Sequence, residues 1–223
     1  MHRVVIDRKT GNYIFVVKKN DSVCPYIILN SKHSRRFAAL NVIQKDLDLC
    51  RKAFIELIET QNKQIIKMSL LFFAIINYGK CFAKADGRSV MLNSKEAFKG
   101  VDNKIIDYHE KLIDIRNNYI AHAGIGNYEQ YPFSLTLNPD LNNKKVLGYM
   151  VNGIAQIKDH HIYIDKYVEV IEHLESYVNN AIIKVKERLD KEVAALDIDE
   201  IYNNSLTPDE NFSLLMDNSF DLV

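Results

Sequence analysis

Apolar residues recur along most of this chain at intervals of three and four, which predicts helices separated by two extended, turn-rich regions. In residues 1–32 the runs "RVVI", "YIFVV" and "YIIL" are punctuated by "KTGN" and "KNDS", the pattern of a small N-terminal β-meander packed on the core. From about Ser34 to Thr60, the residues Leu40, Ile43, Leu47, Cys50, Phe54, Leu57 and Ile58 form one stripe of a long amphipathic helix. The next segment, about Gln61 to Tyr78, is apolar on nearly all sides and is expected to sit centrally. "GKCFAKADGRSVMLNSKEAFKG" then breaks the pattern, as a long loop with room for one short helical turn. A third helix is expected from its N-cap Asp102 to His122, closed by Gly124. Residues 131–158 set a turn-rich "NPDLNNKK" between two extended runs, which predicts a β-hairpin insertion. The last long helix runs from about Asp165 to Leu196, where Val168, Ile171, Leu174, Val178, Ala181, Val185 and Leu189 follow a seam of about 3.5 residues. At about 1.5 Å per residue it spans roughly 45 Å, enough to back a bundle or pair with a second copy. The expected fold is mainly α, a bundle of about four long helices over residues 33–196, followed by a tail, 197–223.

Charge adds a second pattern. The formal net charge is zero, which by itself argues against a phosphate-rich partner. Its distribution is uneven, however: residues 190–223 hold nine Asp or Glu and one Lys, a net of −8, leaving 28 basic and 20 acidic side chains, a net of +8, in the preceding 189 residues. A basic body with an acidic tail is compatible with a solvated terminus or with a segment that competes with an anionic ligand. The cysteines, Cys24, Cys50 and Cys81, are odd in number and form no CxxC or Cys/His cluster, so a reducing cytoplasm is the expected compartment. "MHRVVIDRKTG" lacks the layout of a signal peptide, and Ile65 to Tyr78, which contains Lys67 and Ser69, falls short of the roughly 20 residues that span a bilayer. No membrane attachment is expected. The sequence contains no glycine-rich phosphate loop, GxSxG, HExxH or EF-hand pattern, and no cofactor is implied.

The third helix carries the candidate chemistry. On a wheel of about 100° per residue with Ile105 at zero, Leu112, Tyr119, Ile120 and Ala123 define an apolar stripe, with His109 near about 40° and Arg116 near about 20°. An unpaired arginine there would carry a desolvation cost of several kcal/mol, so Arg116 needs a partner or a purpose. The plain structural account is an ion pair with Asp48, Glu56 or Asp114. For His109 it is a satisfied core histidine. His122, near about −100°, lies off the stripe in the last turn, where a histidine can cap carbonyls at the negative end of the helix dipole.

The string "RNNYIAH" at the end of such a helix resembles the HEPN superfamily, whose signature is an arginine, commonly followed by a polar residue such as asparagine, then a histidine after four to six intervening residues. Arg116, Asn117 and His122 match it, and "NYGKCFAKADGRSV" and "YHEKLIDIRNNYIAHAG" are similar to bacterial HEPN-like proteins. The resemblance follows helix order over about residues 35–190 and is specific over about 70–125. It implies a helical bundle that dimerises with the motif helices facing one another and, in active members, metal-independent endoribonuclease activity, as in toxins and antiviral effectors. Arg116 and His122 would be catalytic, with Asn117, His109 and Tyr119 in support. Histidine titrates in the range needed for proton transfer, and arginine offers a permanent fork for phosphate.

On an ideal helix Arg116 and His122 stand about 120° apart and roughly 9 Å along the axis, so one chain presents them poorly to one phosphate. A two-fold dimer would bring two of each to one cleft. Asn117 could hold a histidine or a phosphate oxygen, and Tyr119 and Tyr78 could stack a base, although packing is the commoner role of tyrosine in a bundle. RNA, a second copy and a regulatory or antitoxin protein are the expected partners. Two other readings compete: a non-catalytic HEPN-like dimer that binds nucleotide, RNA or a protein, and a metallohydrolase using His109, His122, His160 and His161. The second lacks a histidine pair at helical ligand spacing, so no metal is expected.

Overall fold

The computed structural model describes residues 2–6, 13–20, 22–61, 63–84, 90–121, 129–130, 133–151, 154–155 and 163–205. The chain is mainly helical and divides into two compact units, residues 1–34 with 187–223, and residues 35–186.

In the first unit, β1 (His2–Ile6), β2 (Tyr13–Lys19) and β3 (Ser22–Val23) form an antiparallel sheet in sequence order, as the meander pattern predicts. The third strand is a correction. "YIIL" is not a strand; pairing ends at Ser22–Val23, after a turn in which Asn20 takes a positive φ of 51°. The chain then turns into α1 (Lys32–Glu59), whose start is held by reciprocal bonds: the Ser31 N–H donates to Ser34 Oγ at 2.9 Å and the Ser34 N–H to Ser31 Oγ at 3.1 Å. His33 Nδ1 meets Glu192 Oε2 at 2.9 Å, and bonds from Ser31 and His33 hold that carboxyl below its usual range. A short helix, Ile198–Asn203, is N-capped by Asp197.

The second unit is built on α1, α2 (Gln64–Phe82), α3 (Ser94–Ala97), α4 (Asn103–Ile115) and α5 (Ile164–Ala194). The predicted stripe of α1 is buried from Leu40 through Leu57, whereas Ile58 faces out. From α5, Ile171, Leu174, Val178 and Val185 enter the same core, joined by Tyr167 and Val170. Arg51 on α1 bridges to Glu175 on α5 at 3.1 Å, and the buried Asp46 accepts from Lys80 on α2 at 3.0 Å. Cys50 and Cys81 are buried, and Cys24, in the first unit, is half-buried.

Two expectations for α2 are corrected. Its burial is one-sided: Leu71, Ala74, Ile75, Tyr78 and Cys81 face the core, while Ile65, Ile66, Phe73 and Ile76 are exposed. Apolar residues on every side leave the choice of buried face to packing. The helix also continues through Gly79 to Phe82, because core contacts at Cys81 outweigh the weak helix preference of glycine. By length and composition this one helix could cross a membrane, and 39% of its most apolar window is buried within the protein.

The hairpin insertion is present. β5 (Phe133–Leu137) pairs with β6 (Val146–Val151), and β4 (Glu129–Gln130) pairs with β7 (Ile154–Ala155) in the same register. A bulge at Thr136/Leu137 precedes a tip where the Asn138 side chain donates to the Asn143 carbonyl at 2.7 Å.

Candidate functional site

Helix α4 begins where Asp102 accepts a hydrogen bond from the Lys104 N–H at 2.9 Å, the predicted N-cap. Along it His109, Leu112 and Ile115 are buried. The regular α-helix expected to reach position 122 stops at Ile115. Residues Arg116–Ile120, "RNNYI", form a π-helical turn in which the Ala121 N–H donates to the Arg116 carbonyl at 2.9 Å. Bonding to the fifth residue widens the turn, so an ideal α-helical wheel does not describe these five residues. Single π turns inside α-helices are frequently found at functional sites.

Arg116 stands at the junction of the two helical forms, half-buried. Its stem lies over Gly79 of α2: a Cβ at that glycine would be 2.8 Å from Arg116 Cγ, 3.1 Å from Cδ and 3.2 Å from Nε. Its Nη1 donates to Asn117 Oδ1 at 2.8 Å. Among the described residues no carboxylate pairs with it. Asp48 is held by Arg51 at 2.9 Å and Lys52 at 3.0 Å, Asp114 accepts from Asn118, and Glu56 is exposed. A guanidinium has five N–H donors and no means of neutralising itself, so its remaining donors are open to water or to an anion. Asn117 contributes its oxygen to Arg116, which leaves its NH2 as a donor on the same turn.

The other residues singled out from sequence are distributed unevenly. Tyr119 packs edge-on against Phe72 of α2, ring centroids 5.7 Å apart. Tyr78 is fully buried, which removes it as a base-stacking platform, and burial pushes its hydroxyl well above the usual range. His109 lies seven residues before Arg116 and is only 6% exposed, among Phe82, Phe98 and Tyr78. Its Nδ1 is 2.5 Å from the Tyr78 hydroxyl and its Nε2 is 3.1 Å from Ser94 Oγ. Burial lowers its pKa to about 4, so near neutral pH it is an uncharged imidazole. A tyrosine held protonated donates to Nδ1, which places the ring hydrogen on Nε2, toward Ser94. His109 is thus joined to the α2–α3–α4 packing and not to the guanidinium. His122, His160, His161 and Gly124, and the tail from residue 206, lie outside the described residues.

Sequence reasoning missed Gly79, Phe72 and Ser94. The signal for Gly79 was available: Leu71, Ile75, Tyr78 and Cys81 keep helical spacing across "NYGKCF", so the glycine is inside a helix where it needs a reason. Among the described residues no group of three or more His, Cys, Asp or Glu is placed to hold a metal ion. Compared with protein-family models, with curated proteins and with solved structures, the chain matches none.

Proposed function

We propose that the protein is a HEPN-type, metal-independent endoribonuclease that acts as a homodimer, in the manner of a toxin or antiviral effector. The observation that carries this reading is Arg116: a permanent cation rooted in the core by its stem, with a head bonded to Asn117 and to no carboxylate among the described residues. A guanidinium with no carboxylate partner among the described residues is open to an anion, and a phosphodiester is an anion that a planar fork fits well.

In the proposed reaction the RNA 2′-oxygen attacks the adjacent phosphorus as a base takes its proton. The P–O5′ bond breaks and the leaving oxygen is protonated, giving a 2′,3′-cyclic phosphate and a 5′-hydroxyl. Arg116 and Asn117 stabilise the charge that accumulates on the phosphoryl oxygens, and His122 transfers protons. A second copy supplies the second histidine, because base and acid stand on opposite sides of the phosphorus. Two Arg116 side chains across a two-fold axis repel one another until an anion lies between them, so substrate completes the site.

The test is single-stranded RNA with purified protein in excess EDTA, comparing wild type with Arg116→Ala and His122→Ala and measuring mass by light scattering. Cleavage by a dimer that both substitutions abolish is the expected result. Cleavage that persists in both variants, or a monomer, removes this site. A dimer that binds RNA without cutting it would replace the reading with the non-catalytic one, and activity lost to EDTA would call for a metal.

A further inference from the structure

We infer that Gly79 is the positioning residue of Arg116: the missing side chain in the last turn of α2 is the seat that fixes where the guanidinium stands. For its effect on catalysis this rests on the ribonuclease reading, but the seat itself is a geometric claim. A glycine inside a helix is unfavourable relative to alanine, and Gly79 is a buried interior residue of α2. The three nearest atoms that a Cβ at 79 would meet all belong to Arg116, and the closest, Cγ at 2.8 Å, is nearer than real Cβ contacts come. Cγ is the first carbon beyond the backbone-fixed Cβ, so it cannot yield by bending a distant chain end. Relief requires rotation about χ1 into another staggered well, or a backbone shift, and either swings the guanidinium away from Asn117 by a lever of several bonds.

A second contact supports the same face. Phe72 stands seven residues before Gly79, two turns back on the same side of α2, and receives Tyr119 while Gly79 receives Arg116. The two helices run antiparallel here, with one large and one absent side chain on α2 matched to one aromatic and one stem on the π turn. Together they hold both ends of "RNNY", which gives the widened turn a fixed orientation on a core helix.

The test is a double-mutant cycle with two readouts. In the R116A background, Gly79→Ala should raise Tm by about 3 °C, because alanine is the better helix former and its nearest neighbours have gone. In the wild-type background the same substitution should lower Tm, and this reversal of sign is the signature of the seat. In RNA cleavage, Gly79→Ala should reduce kcat at least tenfold with KM and far-UV circular dichroism little changed, and it should add nothing to the loss in R116A. A Tm change of the same sign and size in both backgrounds overturns the proposal, as does an active wild type whose Gly79→Ala variant keeps its kcat. If wild type cuts no RNA, the ribonuclease reading falls and the thermal cycle alone decides the seat. Should Gly79→Ala fail to fold by itself, recovery of a cooperative transition in the G79A/R116A double variant supports the seat, and failure of both overturns it.

Discussion

His109 and Arg116 stand on the same helical stripe, seven residues apart, and the protein treats them in opposite ways. The histidine is enclosed by three aromatic rings, and each ring nitrogen has a hydroxyl partner. The arginine lays its stem against Gly79, is half-buried as a whole, and has its head bonded to one amide. The difference originates in titration. An imidazole can enter an apolar core by giving up its proton, as the lowering of its pKa to about 4 records. A guanidinium cannot, so an arginine on the stripe must either pair its charge or reach solvent. The change from α to π geometry begins at that residue.

The contrast between the two residues is tested most severely at the arginine. On the ribonuclease reading, Arg116→Ala and His122→Ala are each expected to reduce RNA cleavage by about a hundredfold or more, the usual cost of removing a transition-state donor or a proton-transfer group, while Tm stays within a few degrees of wild type. Rates near wild type in purified Arg116→Ala would leave the two stripe residues functionally alike.

At the histidine the expected loss is in stability instead. His109→Leu leaves the buried Tyr78 hydroxyl without its partner and should cost about 3 kcal/mol in urea unfolding; adding Tyr78→Phe should recover part of that, since removing both polar partners is far less costly than removing one. A double variant that is simply the sum of its parts would separate the two groups.

Acid should expose the same asymmetry. In the unfolded chain His109 takes up a proton as pH falls through about 6.5, and in the folded chain only near about 4. The unfolded state binds more protons in between, so stability falls with pH across that window, by on the order of 3 kcal/mol. It is fully present above about pH 6.5 and lost by about pH 4. Unfolding midpoints of wild type against His109→Gln check this, because the slope belonging to this residue disappears in the variant; an unchanged slope assigns it elsewhere.

The smallest effect concerns the helix on which both residues stand. Asp102→Ala removes the N-cap of α4 and should cost about 1 kcal/mol by denaturant unfolding, without altering the ratio of cleavage between wild type and Arg116→Ala.

Amphipathic spacing made α1, α4 and α5 legible from sequence, because Leu47, Leu112 and Leu174 each lie on a stripe whose opposite face is polar. For α2 the same logic had nothing to grip: with Phe73 and Ile76 as apolar as Leu71 and Ile75, only the tertiary fold decides which pair is buried. The short strand Ser22–Val23 has no apolar run to announce it, whereas "YIIL" does and pairs with nothing regular. Arg116 and Asn117 were visible as a motif. Their π turn was not, since a change of hydrogen-bond partner from the fourth to the fifth residue leaves little trace in residue type. The spacing of its neighbours places Gly79 inside a helix, but its reason for being there was not legible, because the clash it avoids is with a side chain 37 positions along the chain.

The buried thiol of Cys50 gives the helical core a built-in clock. Burial and the neighbouring Cys81 push its pKa well up, and alkylation requires the thiolate, so closed molecules are inert at this position. Cys24, in the other unit, is only half-buried and so is more accessible to reagent. In a time course with a small alkylating reagent, mass spectrometry should find one label added early and the later ones only as fast as the helices open. The sequence thereby carries a measure of its own breathing, readable without adding any probe.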